Sequence, residues 1–93
     1  MKIYYPYKSD KKDKKYYIIT ITGNRVYFGV CGYEDFITHK DIKRRETYWQ
    51  RHEKNEDWTA SGINTPGFWA CHYLWSQPTK KKTYENIKKK YIN

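Results

Sequence analysis

Tyr16-Tyr17-Ile18-Ile19-Thr20-Ile21-Thr22, then Gly23-Asn24, then Arg25-Val26-Tyr27-Phe28-Gly29-Val30: two β-branched and aromatic runs flank a Gly-Asn pair. This pattern predicts a tight β-hairpin, with Gly23 supplying the positive φ that primed turns require. Alternation places Tyr17, Ile19 and Ile21 on one face and Tyr16, Ile18 and Thr20 on the other, while Val26, Phe28 and Val30 share a face. Both faces are apolar. One is therefore expected to pack on helices, and the other on the N-terminal strand or the aromatic segment near the C-terminus.

Upstream, Lys2 to Tyr7 reads as a short edge strand, because Pro6 has no N–H to give to a ladder. Residues 8–15, KSDKKDKK, are too charged to bury and read as a mobile connection. Downstream, Gly29 to Phe36 is irregular. Thr38 followed by Asp41 resembles a capping box that opens a helix running to about Lys54. On that helix Ile42, Arg45, Trp49 and His52 form a core stripe, and Lys40, Arg44, Thr47 and Arg51 a basic one.

Trp58 to Ile63 is expected to be a connection. Thr65-Pro66 is an N-cap and N1 pair for a helix from Pro66 to Trp75. That helix is apolar nearly all round, which makes it the predicted buried centre. Gln77-Pro78 opens a last helix to about Tyr91, with Tyr84, Ile87, Tyr91 and Ile92 inward. The expected architecture is a single α+β domain over 1–93, in which a small antiparallel sheet, a hairpin plus an N-terminal edge strand, packs on two or three helices.

A chain of 93 residues has room for one modest core. Only 38% of it is hydrophobic but 19% is aromatic, so the core must be built from large rings. Four Trp and eleven Tyr also supply burial that a disordered chain lacks. Cys31 and Cys71 form no CxxC pair, so free thiols in a reducing compartment are expected. No stretch has the length of a signal peptide or a membrane span. The expected locations are the cell interior or a virion, with no membrane partner.

The formal charge is +9, from 19 Lys plus Arg against 10 Asp plus Glu. Five cations lie in residues 8–15, six in 40–54 and six in 80–90, leaving only Lys2 and Arg25 outside. Segregated charge of this kind suits a polyanion, and nucleic acid is the expected partner, DNA before RNA. The candidate phosphate contacts are Lys40, Lys43, Arg44, Arg45, Arg51 and Lys54 on the central helix and Lys81, Lys82, Lys88 and Lys89 on the last one. No helix-turn-helix, RNP-type or zinc-finger motif is present, so backbone binding with little base preference is expected. Tyr5, Tyr7 or Tyr33 are candidates for stacking on unpaired bases.

A metal site from His39, His52, His72, Cys31 and Cys71 would need four of these to converge, and adjacent Cys71 and His72 point about 100° apart on a helix. His39 reads as a surface residue and His52 as half-buried. Neither a metal nor another cofactor is expected, and nothing local marks either thiol as activated.

The order Val26-Tyr27-Phe28-Gly29, His39-Lys40-Asp41, Arg44-Arg45, Tyr48, Arg51-His52, Glu56-Asp57-Trp58, Ser61-Gly62-Ile63, Thr65, Gly67-Phe68-Trp69, Leu74-Trp75 and Pro78-Thr79 resembles a small group of uncharacterised basic proteins encoded by large nucleocytoplasmic DNA viruses. The resemblance covers about residues 16–92. It implies an infected-cell or virion context beside a large DNA genome and names no reaction. A structural virion part, making protein contacts through Trp58 to Trp75, is the non-enzymatic alternative.

Tyr17 on the first strand, Tyr27-Phe28-Gly29 on the second and a following Arg-bearing helix also look like a diverged GIY-YIG endonuclease. That likeness implies roles for Tyr17, Tyr27, Arg44 or Arg45, and a metal-holding Glu56 or Glu85. The Gly-Ile of the first motif is absent, and the expectation is a binding protein without catalytic residues.

Overall fold

A computed structural model describes residues 2–92. It is an α+β fold in which a three-stranded antiparallel sheet, in the order β1-β2-β3, packs on helices. The strands are β1 (Tyr7–Lys8), β2 (Lys14–Ile19) and β3 (Arg25–Val30). Two helices follow, α1 (Phe36–His39) and α2 (Ile42–His52). After a 3-10 turn at Ala60–Gly62 comes α3 (Pro66–Trp69), continued by a π-helical turn at Ala70–Leu74. Last is α4 (Lys80–Ile87), continued by π-helical residues Lys88–Ile92.

The hairpin forms, but not in the register that a two-residue Gly23-Asn24 loop would give: Tyr16 lies opposite Phe28 and Ile18 opposite Val26, three residues away from a pairing of Thr22 with Arg25. Strand pairing ends at Ile19 and Arg25, and Thr20–Asn24 closes the turn. The Thr20 N–H donates to the Asn24 carbonyl at 2.8 Å, and the Thr20 hydroxyl accepts from Asn24 N–H at 3.2 Å. A threonine that bonds its own neighbourhood takes the backbone out of the ladder early. Gly23 does adopt the expected positive φ, 90°. Ile21 is left on the loop, 72% exposed.

The edge strand is present but displaced. It is Tyr7–Lys8 that pairs, with Tyr17 and Tyr16, after the buried Pro6. Residues 8–15 are not a mobile connection throughout, because Lys8, Lys14 and Lys15 belong to strands. Lysine enters β2 because its long stem can lie along the sheet while its ammonium reaches out.

The central helix is two helices. Asp35, not Thr38, caps α1, and Asp41 caps α2 by accepting from the N–H groups of Lys43 and Arg44. Between them Lys40 takes a left-handed φ of 57°, ending α1. α2 stops at His52, short of Lys54. Ile42 is not part of a core stripe and stands 57% exposed, because the break at Lys40 turns the first residue of α2 away from the core.

The core joins Ile18 and Phe28 of the sheet to Phe68, Trp69, Tyr73 and Leu74 of the α3 segment and Ile87 of α4. Residues 66–75 form the predicted centre, with the side-chain oxygen of Thr65 accepting from Phe68 N–H as its N-cap and Pro66 at its start. Rings meet edge to face: Tyr16 and Phe28 both approach Tyr73, at 5.3 Å and 6.0 Å. Such pairs add about 0.5–1.5 kcal/mol each beyond area burial. Tyr84 on α4, and Tyr91 and Ile92 on the π-helical residues after it, pack inward as expected.

The second face of the sheet packs on neither the N-terminal strand nor the aromatic segment. The N-terminal strand extends the sheet sideways, and this face carries Tyr7, Tyr17 and Tyr27 in direct cross-strand register. None of the three belongs to the core cluster. Among the described residues no helix is long and apolar enough to cross a membrane.

Candidate nucleic-acid interface

Since β3 has a neighbour on one side only, its other edge faces a cleft of about 970 Å³ whose opposite wall is α2. The floor is Gly29, Ala70 and Leu74. Gly29 is required there, because a Cβ at this position would stand 2.9 Å from Leu74 Cδ1, and its φ of 77° suits glycine. From α2 the residues Lys43, Arg44, Thr47, Tyr48, Arg51 and His52 line the cleft, the spacing of one helical face.

A second cleft of about 580 Å³ adjoins it and shares Lys14, Lys15, Asp35 and Leu74. Lys8, Lys11 and Lys80 line this second part. All three basic clusters of the sequence thus contribute to the two adjoining clefts. Eight cations line them, against the carboxylates of Glu34, Asp35, Asp41 and Glu56.

Each carboxylate is already engaged. Asp35, almost fully buried, pairs with Lys15 at 2.7 Å and caps α1. Asp41 caps α2. Glu34 lies 3.7 Å from Arg44, both about half exposed, a pair worth about 0–1 kcal/mol. Glu56 accepts from Trp58 Nε1 at 3.2 Å and lies 3.7 Å from His52 Nδ1. Among the described residues Lys14, Lys43 and Arg51 have no carboxylate within ion-pair distance.

Several expected contacts lie elsewhere. Arg45 turns away from the cleft: its guanidinium sits 4.8 Å from the Phe36 ring and 4.6 Å from the Trp49 ring, and it donates to the Ser76 carbonyl at 2.9 Å. It is a packing residue, because 100° of helical rotation separates it from Arg44. Lys40 spends its ammonium on the Ile37 carbonyl at 2.8 Å, at the C-terminal end of α1 where a cation is favoured. Lys54 is exposed beyond the end of α2, and Lys81, Lys82, Lys88 and Lys89 are exposed on the α4 segment, outside both clefts. Residues 8–15 hid Lys14 and Lys15, which belong to the site; the signal was their continuity with the alternating run that follows.

Of the nuclease-like set, Tyr27, Arg44 and Glu56 line the cleft, while Tyr17, Arg45 and Glu85 do not. The Tyr27 hydroxyl donates to Asp10 Oδ1 at 2.8 Å. Among the described residues no three His, Cys, Asp or Glu side chains converge as a metal site would need.

An aromatic pile anchors α2 along the cleft wall. Tyr48 stacks on Trp75 at 4.4 Å and on His52 at 4.3 Å. His39, far from being a free surface residue, packs on Trp75 at 5.2 Å and accepts from Asp41 N–H through Nδ1. The N–H groups at His39 Nε2, Arg45 Nε and Trp49 Nε1 find no oxygen partner among the described residues; rings pack on His39 and Arg45, and the Arg45 guanidinium covers the Trp49 ring. Burial pushes the Cys71 thiol up to about 12, so it stays protonated at neutral pH.

His72 reports on this packing. Its Nε2 donates to the Trp58 carbonyl at 2.8 Å, and burial holds its pKa below the ordinary 6.5, with Lys90 adding to the shift against that hydrogen bond. The unfolded chain therefore takes up a proton at a pH where the folded one does not. Stability is full above about pH 7 and declines as pH falls through 6.5 toward the folded value. Urea midpoints measured from about pH 7.5 down to about 5.5 should fall in the parent and fall less in His72→Gln. Equal declines would remove His72 as the cause.

A family model described as "Family of unknown function (DUF5754)" matches residues 7–52, just under half of the chain. The match runs from the first residue of β1 to the last of α2, so it takes in the sheet and the cationic wall but not the α3 floor. No curated protein and no solved structure matches the chain.

Proposed function

We propose that this chain is a non-enzymatic nucleic-acid-binding protein that holds the phosphate backbone along the groove between β3, α2 and the strand-end lysines. One observation carries the reading: eight cations from three separate segments line two adjoining clefts whose carboxylates are already engaged. Arg44 and Arg51 present planar forks that suit phosphate oxygens, and Lys14 and Lys43 add point charges. Phosphate contacts position a nucleic acid and carry no sequence information themselves, which supports binding largely independent of sequence. DNA is the favoured polymer, in the viral setting that the resemblance to basic proteins of large nucleocytoplasmic DNA viruses implies, in infected cells or the virion.

The test is a salt titration. Binding of a labelled duplex should weaken steeply with salt, because each neutralised phosphate releases a condensed counterion. Arg44→Ala with Arg51→Ala should flatten the log–log slope by about two, near 0.9 for each phosphate no longer neutralised. Lys88→Ala with Lys89→Ala, outside the groove, should change it by less than about one. No binding at low salt, or a slope indifferent to Arg44 and Arg51, would count for a purely structural protein instead.

A further inference from the structure

The tyrosine row on the second face of the sheet lies outside the main core cluster, although Tyr17 at its middle is buried. Tyr7, Tyr17 and Tyr27 stand at directly paired positions on three adjacent strands, their ring centroids 5.7 Å and 5.4 Å apart. Tyr17 is almost fully covered, whereas Tyr7 and Tyr27 are partly buried and keep some exposure. Tyr5 continues the row, 4.9 Å from Tyr7.

Cations occupy the ring faces. Lys11 Nζ sits 4.2 Å from the Tyr27 centroid, the Arg25 guanidinium 4.6 Å from that of Tyr17, and Lys2 Nζ 5.6 Å from that of Tyr5. Asp10 is the carboxylate beside them, 3.5 Å from Arg25 and itself 67% exposed. An exposed cation over a ring is held only weakly. All three side chains are long enough to leave the rings and meet phosphates. Tyr27 also lines the larger cleft and Lys11 the smaller one, so the row and the groove are one path.

We infer that the Tyr7–Tyr17–Tyr27 face is a stacking platform for unpaired bases, and that single-stranded nucleic acid is a ligand of this protein. The inference rests on the polyanion-binding reading of the groove and narrows its partner. Bases stack on Tyr7 and on Tyr27, where they displace Lys11 from the ring face, and the displaced cation pairs with a flanking phosphate. Every base has a π-face, so the platform needs no sequence preference. Duplex DNA, whose bases are already stacked on one another, cannot use it.

The experiment compares three labelled ligands of equal length at one low salt concentration: oligothymidylate, an abasic strand with the same phosphates, and a duplex. The parent protein should bind oligothymidylate about tenfold or more tighter than the abasic strand. Tyr27→Leu should weaken oligothymidylate binding about tenfold to a hundredfold, while Tyr27→Phe, which keeps the ring, should stay within about twofold of the parent. Tyr7→Leu, outside both clefts, should weaken oligothymidylate binding and leave duplex binding nearly unchanged. Tyr7→Leu provides a second, independent loss should Tyr27→Leu fail to fold by circular dichroism.

Equal affinity for thymidylate and abasic strands overturns the platform, as does a Tyr27→Phe loss as large as that of Tyr27→Leu. If those results come with duplex binding that still depends on Arg44 and Arg51, the groove stands without the platform. A parent that binds none of the three ligands ends both readings.

Discussion

Trp69→Ala should cost about 3–5 kcal/mol of folding stability, a large share of the roughly 5–14 kcal/mol expected for a protein of this size. Trp69 is fully buried and lies where the two layers meet. Its ring packs on Phe28 of the sheet at 6.0 Å and on Phe68 at 5.7 Å, with Tyr4 stacked 6.4 Å away. Truncation would remove the largest buried side chain and open a cavity that rings held from several elements cannot close. Small domains are stable by only about 0.05–0.15 kcal/mol per residue, so one such cavity is a large fraction of the total.

The indole also ties down a connection, through Nε1 donating to the Ile63 carbonyl at 2.8 Å. Trp69→Phe keeps most of the ring and strands that carbonyl, at a cost of about 1–3 kcal/mol. Urea unfolding followed by circular dichroism should therefore rank the parent above Trp69→Phe, and Trp69→Phe above Trp69→Ala. The Ala variant should lose on the order of 2 M in midpoint. A Trp69→Ala loss below about 1 kcal/mol would mean that the core does not centre on this residue.

Gly62→Ala should be the second severe change, at about 3 kcal/mol, the upper end of what overpacking usually costs. A Cβ at Gly62 would stand 1.9 Å from the Asp57 carbonyl oxygen and 2.9 Å from its carbon, so backbone must move. That backbone is held by a local network in which Asp57 accepts from Thr59 N–H at 2.9 Å and from the Ser61 hydroxyl at 2.6 Å. The same hydrogen bonds, Ser61 first, keep the Asp57 carboxyl below its ordinary range. Gly67→Ala provides the contrast, since its Cβ would meet only the end of the Glu56 side chain, at 2.7 Å, which can swing aside. Thermal melts should show a Gly67→Ala loss of about 1 kcal/mol and a much larger one for Gly62→Ala. Equal losses would show that the 57–62 turn yields easily.

Short-range pattern makes much of the fold legible. Alternation over Tyr16–Val30 requires a hairpin, Pro6 keeps the first strand at an edge, and Thr65-Pro66 before an apolar run places the buried helix. The helix starts after β3 are not legible in the same way, because equally good caps compete. Thr38, Asp35 and Asp41 all offer a side-chain oxygen at a plausible helix start, and the choice between one helix and two depends on whether Lys40 can be held at positive φ by the packing of α1. Charge alone points Lys14 and Lys15 to a loop, although a lysine stem in a strand costs little once its head finds Asp35.

The candidate site is half legible for a related reason. Charge segregation is visible in composition, and the helical period puts Arg44, Thr47 and Arg51 on one face, where the structure has them beside Lys43. That Arg45 points into rings, that Lys40 caps a helix, and that Lys81, Lys82, Lys88 and Lys89 lie outside the groove depend on how elements turn relative to one another.

Residue types and periods of two or about 3.6 were enough to specify an aromatic core, a hairpin with an edge strand, a buried segment at residues 66–75 and a strong positive charge gathered in three segments. The packed molecule alone sets which cations meet across a groove, which are spent on carbonyls and rings, and that three tyrosines line up on an outer sheet face. Such pairings join residues far apart in the chain, and no local period encodes the rotation and approach that bring them together.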